Sequence, residues 1–234
     1  KRQDLFINTK IAHPNLPGSH EDSSYVHDPS LDAYEGAKKE IDTCLEQLGL
    51  EWVDSMLIHW PGAFGSEDAE LGIRRRAEIW RALEEAYEDG KVRAIGVSNF
   101  ERTHLEDLSR TARIAPMLNQ IECHPYLVQS RLLAFMKDHQ IQPMCYCPLG
   151  SGLLGVLDDP VIQKLAEKYS RTAGQVVLRW HIERGCIPIP KSTSRKRIQE
   201  NLGALDFELS KADVSTISSL HNGKRVCPDP GLIA

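Results

Sequence analysis

No G-x-G-x-x-G turn occurs anywhere in the 234 residues. An open nucleotide-binding sheet places such a turn after its first strand, where backbone must approach a pyrophosphate closely. Its absence argues against that architecture. Long apolar runs are missing too, and none approaches the ~18 residues that a membrane-crossing helix requires. Positive charge is not in excess: the formal net charge is −5, which argues against nucleic acid as a partner. The six cysteines, Cys44, Cys123, Cys145, Cys147, Cys186 and Cys227, follow no ligand or redox spacing. Cys145-Tyr-Cys147 is too tight for a zinc knuckle or a thioredoxin-type pair. No metal site is expected, and the thiols are read as free in a reducing compartment, the cytoplasm.

What is present is an alternation. Strand-like apolar runs cover Leu5–Thr9, Val53–Ile58, Ala94–Val97, Met117–Glu122, Gln142–Tyr146 and Cys186–Ile189. Several carry apolar residues in succession, as strands covered on both faces do. Amphipathic stretches lie between them. In Leu31–Leu48, the residues Leu31, Tyr34, Ile41, Cys44, Leu45 and Leu48 share one helical face before Gly49 stops it. Ile79, Leu83, Ala86 and Tyr87 repeat the pattern up to Gly90; Leu105 with Leu108, and Leu132, Leu133 and Met136, supply two more. Ser210 with Asp213 has the form of a capping box opening a last helix.

Strand following helix following strand predicts right-handed parallel βα units. With the glycine-rich turn absent, the expected fold class is α/β, a (β/α)8 TIM barrel with about six βα units present. The chain begins at Lys1 and reaches its first strand-like run almost at once. The expectation is therefore a single barrel domain over 1–234, incomplete at its N-terminal end.

A parallel barrel exposes its chemistry at the C-terminal ends of its strands. The first run ends in Thr9-Lys10, the second in His59-Trp60 and the third in Ser98-Asn99. The fourth carries Asn119-Gln120, the fifth Tyr146 and the sixth Lys191-Ser192. A single histidine on an apolar strand is usually a core residue. One that leaves its strand level with a lysine, an amide pair and an aromatic ring is a candidate site residue. Neutral His59 can donate a hydrogen bond to a carbonyl oxygen, the Lys10 ammonium can lower a neighbour's pKa, and Trp60 offers a flat apolar wall. The run from Ile187 to Asn201 joins a strand to a helix through hydroxyls and the cations Lys191, Arg195, Lys196 and Arg197. That chemistry suits a phosphate. Tyr146 can stack on a planar ring, and Ser98, Asn99 and Gln120 can hold an amide. Together these groups describe a nicotinamide dinucleotide bound without a Rossmann turn.

Five stretches carry a family resemblance. They are Leu57-Ile-His-Trp-Pro61, Gly90-Lys-Val-Arg-Ala-Ile-Gly-Val-Ser-Asn-Phe100, Leu118-Asn-Gln-Ile-Glu-Cys-His-Pro-Tyr126, Tyr146-Cys-Pro-Leu-Gly-Ser151 and Ile189-Pro-Lys-Ser192. In this order they closely resemble the aldo-keto reductases, barrels that reduce aldehydes and ketones with NADPH. The resemblance implies that Lys10 and His59 are two members of the family's Asp/Tyr/Lys/His catalytic tetrad and that Trp60 walls the substrate. It assigns Ser98, Asn99 and Gln120 to the carboxamide and Tyr146 to the nicotinamide ring. Cys147, Leu149 and Ser151 fall in the pyrophosphate-side loop; Cys147 stands where serine is more usual. Lys191, Ser192, Thr193, Ser194 and Arg197 resemble the clamp on the 2′-phosphate, and Glu200 and Asn201 the adenine contacts. Lys191 with Arg197 implies NADPH over NADH.

The aspartate and tyrosine of the tetrad come from the family's first two βα units, which the matched motifs do not include. Tyr25 is a poor substitute. The segment His13–Ser30 looks longer than usual, and the end of the chain after Cys227-Pro-Asp-Pro230 looks short. The expected partner is a small-molecule carbonyl substrate, with no nucleic acid and no membrane, and the expected state is a monomer, a weak dimer being the alternative. Two other functions stand against the reductase: a non-catalytic NADP(H)-binding regulatory or structural barrel, and a glycosidase. The latter needs two facing carboxylates, and only Glu122 lies near a suitable place. His104, His124 and Arg93 are read as packing or surface residues.

Overall fold

The computed structural model describes residues 1–12, 32–62 and 68–233. Tyr25 and the whole segment His13–Ser30 lie outside the described residues. The chain divides into two compact units, one formed by Lys1–Asn119 with Pro230–Ala234 and the other by Gln120–Asp229.

In the first unit, β1 (Asn8–Ile11), β2 (Ser55–Ile58) and β3 (Ile95–Ser98) are neighbours in chain order. Both ladders are parallel, with Lys10 opposite Leu57 and Leu57 opposite Gly96. All four residues of β2 and of β3 are buried, which explains why these strands read as continuous apolar runs. Three helices accompany them. α1 (Ala33–Leu48) starts where Asp32 accepts a hydrogen bond from the Glu35 amide and stops at Gly49, whose φ of 63° suits a residue without a Cβ. α2 (Ala69–Glu88) is capped by Asp68. α3 (Arg102–Ser109) opens with His104 Nδ1 accepting from the Glu101 amide.

Gly96 has a packing reason. A Cβ there would sit 2.5 Å from the Leu118 carbonyl oxygen and 2.8 Å from Leu57 Cδ2. Main chain cannot yield to a methyl group as a flexible side-chain end can. Gly96→Ala is expected to lower unfolding free energy by about 1–3 kcal/mol, read from the midpoint of urea denaturation; an unchanged midpoint would contradict this packing.

Two expectations shift in this unit. The first strand begins at Asn8 rather than Leu5, and Leu5 and Phe6 are 58% and 65% exposed. Asn8 lies opposite Ser55, the first residue of β2, so the ladder ends where its partner does. Leu48, placed on the buried face of α1, is exposed at the end of the helix.

The second unit contains most of β4 (Leu118–Glu122), then β5 (Gln142–Tyr146) and β6 (Ile187–Pro188). β5 and β6 run parallel, with Met144 opposite Ile187 and Cys145 opposite Pro188. The sixth strand is thus shorter than the expected Cys186–Ile189. Five helices belong here: α4 (Ser130–Asp138), α5 (Pro160–Tyr169), α6 (Ala173–Glu183), α7 (Arg195–Leu202) and α8 (Lys211–Ser218). Ser210 caps α8 as its sequence foretells, accepting from the Asp213 amide. The Asp213 carboxylate in turn takes hydrogen bonds from Lys168, Ser210 and Tyr169, which pull its pKa down to about 2. Glu122 is buried and accepts from the main-chain amides of Val226 and Cys227 and from His124. Its carboxylate is committed to holding a distant segment of chain. Among the described residues no helix is long and apolar enough to cross a membrane, and all six cysteines are free thiols.

Candidate active site

The first unit brings Lys10 and His59 to one level. The amide of His59, the first residue past β2, donates to the carbonyl of Ile11, the last residue of β1, at 2.9 Å. Lys10 precedes Ile11, and Ile11 is fully buried. Successive strand residues face opposite ways, so Lys10 points to the other face of β1. Burial pulls the Lys10 ammonium below the ordinary lysine range. No hydrogen bond or ion pair holds it among the described residues.

His59 is followed by Trp60, whose ring centroid lies 6.3 Å from the imidazole. β3 delivers Ser98 and Asn99 beside them. Asn99 is buried, adopts a left-handed φ of 62°, and donates from Nδ2 to the His59 carbonyl at 2.9 Å. Asparagine is one of the few residues that tolerate this conformation. The Asn99 side chain therefore ties the exit of β3 to the main chain at the exit of β2.

Arg76 is a residue that the motifs did not single out. It is 1% exposed, donates from Nη1 to the Pro61 carbonyl at 3.0 Å, and lies 3.7 Å from the Asp107 carboxylate. It fixes the main chain immediately after Trp60. The signal is its phase: Arg76 falls on the same helical face as Ile79, Trp80 and Leu83, all buried. His104, His124 and Arg93 serve packing. Burial lowers the His104 pKa, and its Nε2 bonds the Ile233 carbonyl. His124 is buried against Glu122, and Arg93 stacks 3.4 Å over the Trp52 ring.

The second unit carries the remaining candidates. Gln120 on β4 is 3% exposed. Tyr146 closes β5. Burial, then the neighbouring Cys227 and Glu122, push its phenol far above the ordinary range, so the ring remains neutral. After it the chain turns sharply: Cys147, Gly150 and Ser151 all have positive φ, and Ser151 Oγ donates to Cys147 Sγ at 2.9 Å. Leu149 lies within this turn. Beyond β6, Ser192 Oγ accepts from the Ser194 amide, and Ser194 Oγ caps α7 by accepting from the Arg197 amide. Lys191, Thr193, Arg195, Lys196 and Arg197 are exposed around that helix start, and α7 buries none of its residues. Glu200 and Asn201 lie in its final turn, where the Glu200 carbonyl accepts from Gln175 Nε2 at 2.9 Å. Free amides, a hydroxyl cap and clustered cations together suit an anion.

An imidazole and a half-buried ammonium at adjacent parallel-strand exits are the arrangement expected of an α/β barrel enzyme. Comparison with known proteins supports that class. The aldo/keto reductase family model matches residues 1–222. Glyoxal reductase of Bacillus subtilis is 42% identical over 229 residues, covering 98% of this chain and 73% of that protein. Methylglyoxal reductase DkgA of Yersinia pestis is 38% identical, again covering 98% of this chain and 73% of the relative. The solved structure of a Gox0644 mutant in complex with NADPH superposes with a TM-score of 0.81 at 35% identity, covering 98% of this chain and 75% of that one. The chain belongs to the aldo/keto reductase family, and its fold class is the α/β (β/α)8 barrel.

Proposed function

We propose that this protein reduces small aldehydes and ketones, dicarbonyls such as glyoxal and methylglyoxal among them, with NADPH as the hydride donor. The observation that carries the reading is the shared exit of β1 and β2, where one main-chain hydrogen bond sets His59 level with the end of the strand bearing Lys10. Similarity to reductases of those two dicarbonyls and to an NADPH complex supports the substrate class and the cofactor.

Bound NADPH supplies the hydride. The chain's own residues do the rest. His59 donates a hydrogen bond to the substrate carbonyl and stabilises negative charge as it develops on oxygen. Lys10 lowers the pKa of the phenolic proton donor that the family's tetrad provides. Trp60 walls the substrate on its apolar side. Ser98, Asn99 and Gln120 orient the carboxamide, and the neutral Tyr146 ring stacks on the nicotinamide. The tight turn of Cys147, Leu149 and Ser151 offers main chain to the pyrophosphate. Lys191, Ser192, Thr193, Ser194 and Arg197 hold the 2′-phosphate, with Glu200 and Asn201 against the adenine. The chemistry suits the group: clustered cations and a capped helix start are what a phosphate needs. The free thiols support a cytoplasmic location, and the reading is of a monomer.

The cofactor preference has its own test. Replacing Lys191 and Arg197 together by Ala is expected to raise the KM for NADPH roughly 10- to 100-fold, the loss of one or two charge-assisted hydrogen bonds. The KM for NADH, which lacks the 2′-phosphate, should stay where it was. Equal losses for both cofactors would remove the clamp from these residues.

A further inference from the structure

Four groups of the second unit that the reductase reading leaves unused meet in its interior. Cys123 follows β4, Cys145 lies within β5, His181 lies near the end of α6, and Cys186 immediately precedes β6. The sulfurs of Cys123 and Cys145 and a ring nitrogen of His181 all lie within 4.8 Å of one another. All three residues have no exposed surface, and Cys186 is 4% exposed. Cys186 reaches both Cys145 and His181 with its side chain. On His181, Nε2 faces the Pro148 carbonyl at 3.4 Å, while Nδ1 is buried with no hydrogen-bond partner.

We infer that Cys123, Cys145, Cys186 and His181 form a buried structural site for a thiophilic divalent cation, zinc above all. Three thiolates and an imidazole are a closed structural zinc set, and thiolate softness selects zinc over the hard cations. Tetrahedral donors about 2.3 Å from the metal stand roughly 3.8 Å apart, so the Cys123 and Cys145 sulfurs and the His181 nitrogen, already within 4.8 Å of one another, need only small side-chain rotations, and Cys186 joins them from beside Cys145 and His181. The imidazole is oriented for ligation. A metal-bound histidine characteristically donates its other N–H to a carbonyl or carboxylate; here Nε2 has the Pro148 carbonyl, which leaves the buried Nδ1 as the nitrogen to ligate.

The charge balances as well. A dication with three thiolates and a neutral imidazole carries one net negative charge, which is costly to bury alone. Arg184 Nη1 lies 3.7 Å from Cys123 Sγ. Its guanidinium is held over the Trp180 ring at 4.2 Å and donates to the Val128 carbonyl at 2.6 Å. Binding releases three thiol protons to solvent. Two of those S–H groups now lean on the carbonyls of Val128 and Arg184. The oxidation state of sulfur and metal does not change. The site ties α6 to the residues beside β4, β5 and β6, so its role is to hold this unit together rather than to reduce carbonyls.

The test uses the full protein, stripped with a chelator under reducing conditions and then given cobalt(II) or zinc. The expected result is one zinc retained per chain through gel filtration. Cobalt should give a thiolate charge-transfer band in the near ultraviolet and intense tetrahedral bands in the visible, both bleached by zinc. Cys186→Ser should weaken zinc binding by at least ~10-fold, and Cys44→Ser, a thiol of the first unit, should leave the spectrum unchanged. Should the Cys186 variant fail to fold, the wild-type cobalt spectrum decides alone. A natively folded protein that retains no metal would overturn the inference. So would a weak octahedral cobalt spectrum, which reports adventitious surface binding only, or a Cys123–Cys145 disulfide recovered by peptide mapping with no metal uptake.

Discussion

Lys10→Met is expected to lower kcat for carbonyl reduction by ~10²–10⁴-fold, the range over which positioned proton transfer contributes. The binding of NADPH and the melting temperature should change little. Methionine preserves the unbranched apolar stem, and no described group loses an ion pair when the ammonium goes. What disappears is a positive charge held where water is scarce. Burial already weakens that charge, holding the Lys10 pKa below the ordinary ~10.4. The working form is the ammonium, so activity should fall as pH rises through the lowered value, and Lys10→Arg should move that alkaline limb upward. Steady-state kinetics across pH check both statements. A kcat within about twofold of wild type in the Met variant would remove Lys10 from the chemistry.

His59→Leu is expected to cost ~10²–10³-fold in kcat, the usual cost of losing one donor at a developing oxyanion. Leucine fills a similar volume, and two of the hydrogen bonds that fix this position are made by its main chain. The His59 amide bonds Ile11 and its carbonyl accepts from Asn99, so neither depends on the ring. The KM for NADPH should therefore hold while kcat falls. His59→Gln, which restores an N–H donor at nearly the same reach, should recover part of the loss. If Leu and Gln variants turn over equally, the imidazole does not act as a donor.

Sequence alone revealed the strands well and the helices unevenly, and the reasons differ by element. β2 and β3 are buried on both faces and so announce themselves as unbroken apolar runs. Leu5 and Phe6 are equally apolar but lie beyond the point where β2 can pair with them, a limit set by the partner strand and invisible in the run itself. α5 had a readable signal, Asp159 capping a helix with Pro160 at its first position and Ile162, Leu165 and Ala166 buried. α6 is harder: Val176, Val177, Leu178 and Trp180 are all buried, so no polar stripe marks its period.

The candidate site follows the same logic. His59, Ser98 and Asn99 sit where strands end, and strand ends are legible. Arg76 was legible only to a reading that asked which charged residue falls in phase with an apolar face. The commitment of Glu122 to the amides of Val226 and Cys227, and the meeting of Cys123, Cys145, Cys186 and His181, could not be read. Each joins residues far apart in the chain through tertiary packing, with no local spacing to record it.

The central claim is that hydride passes from NADPH to a small carbonyl beside His59 and Lys10. It is tested most directly by following the near-ultraviolet absorbance of NADPH mixed with the enzyme, before and after methylglyoxal is added. The account predicts a stable signal without the dicarbonyl and a steady loss with it, one NADPH consumed per carbonyl reduced, largely abolished in the Lys10→Met and His59→Leu enzymes. A folded enzyme that binds NADPH and leaves that absorbance unchanged with every small aldehyde and ketone offered would contradict it.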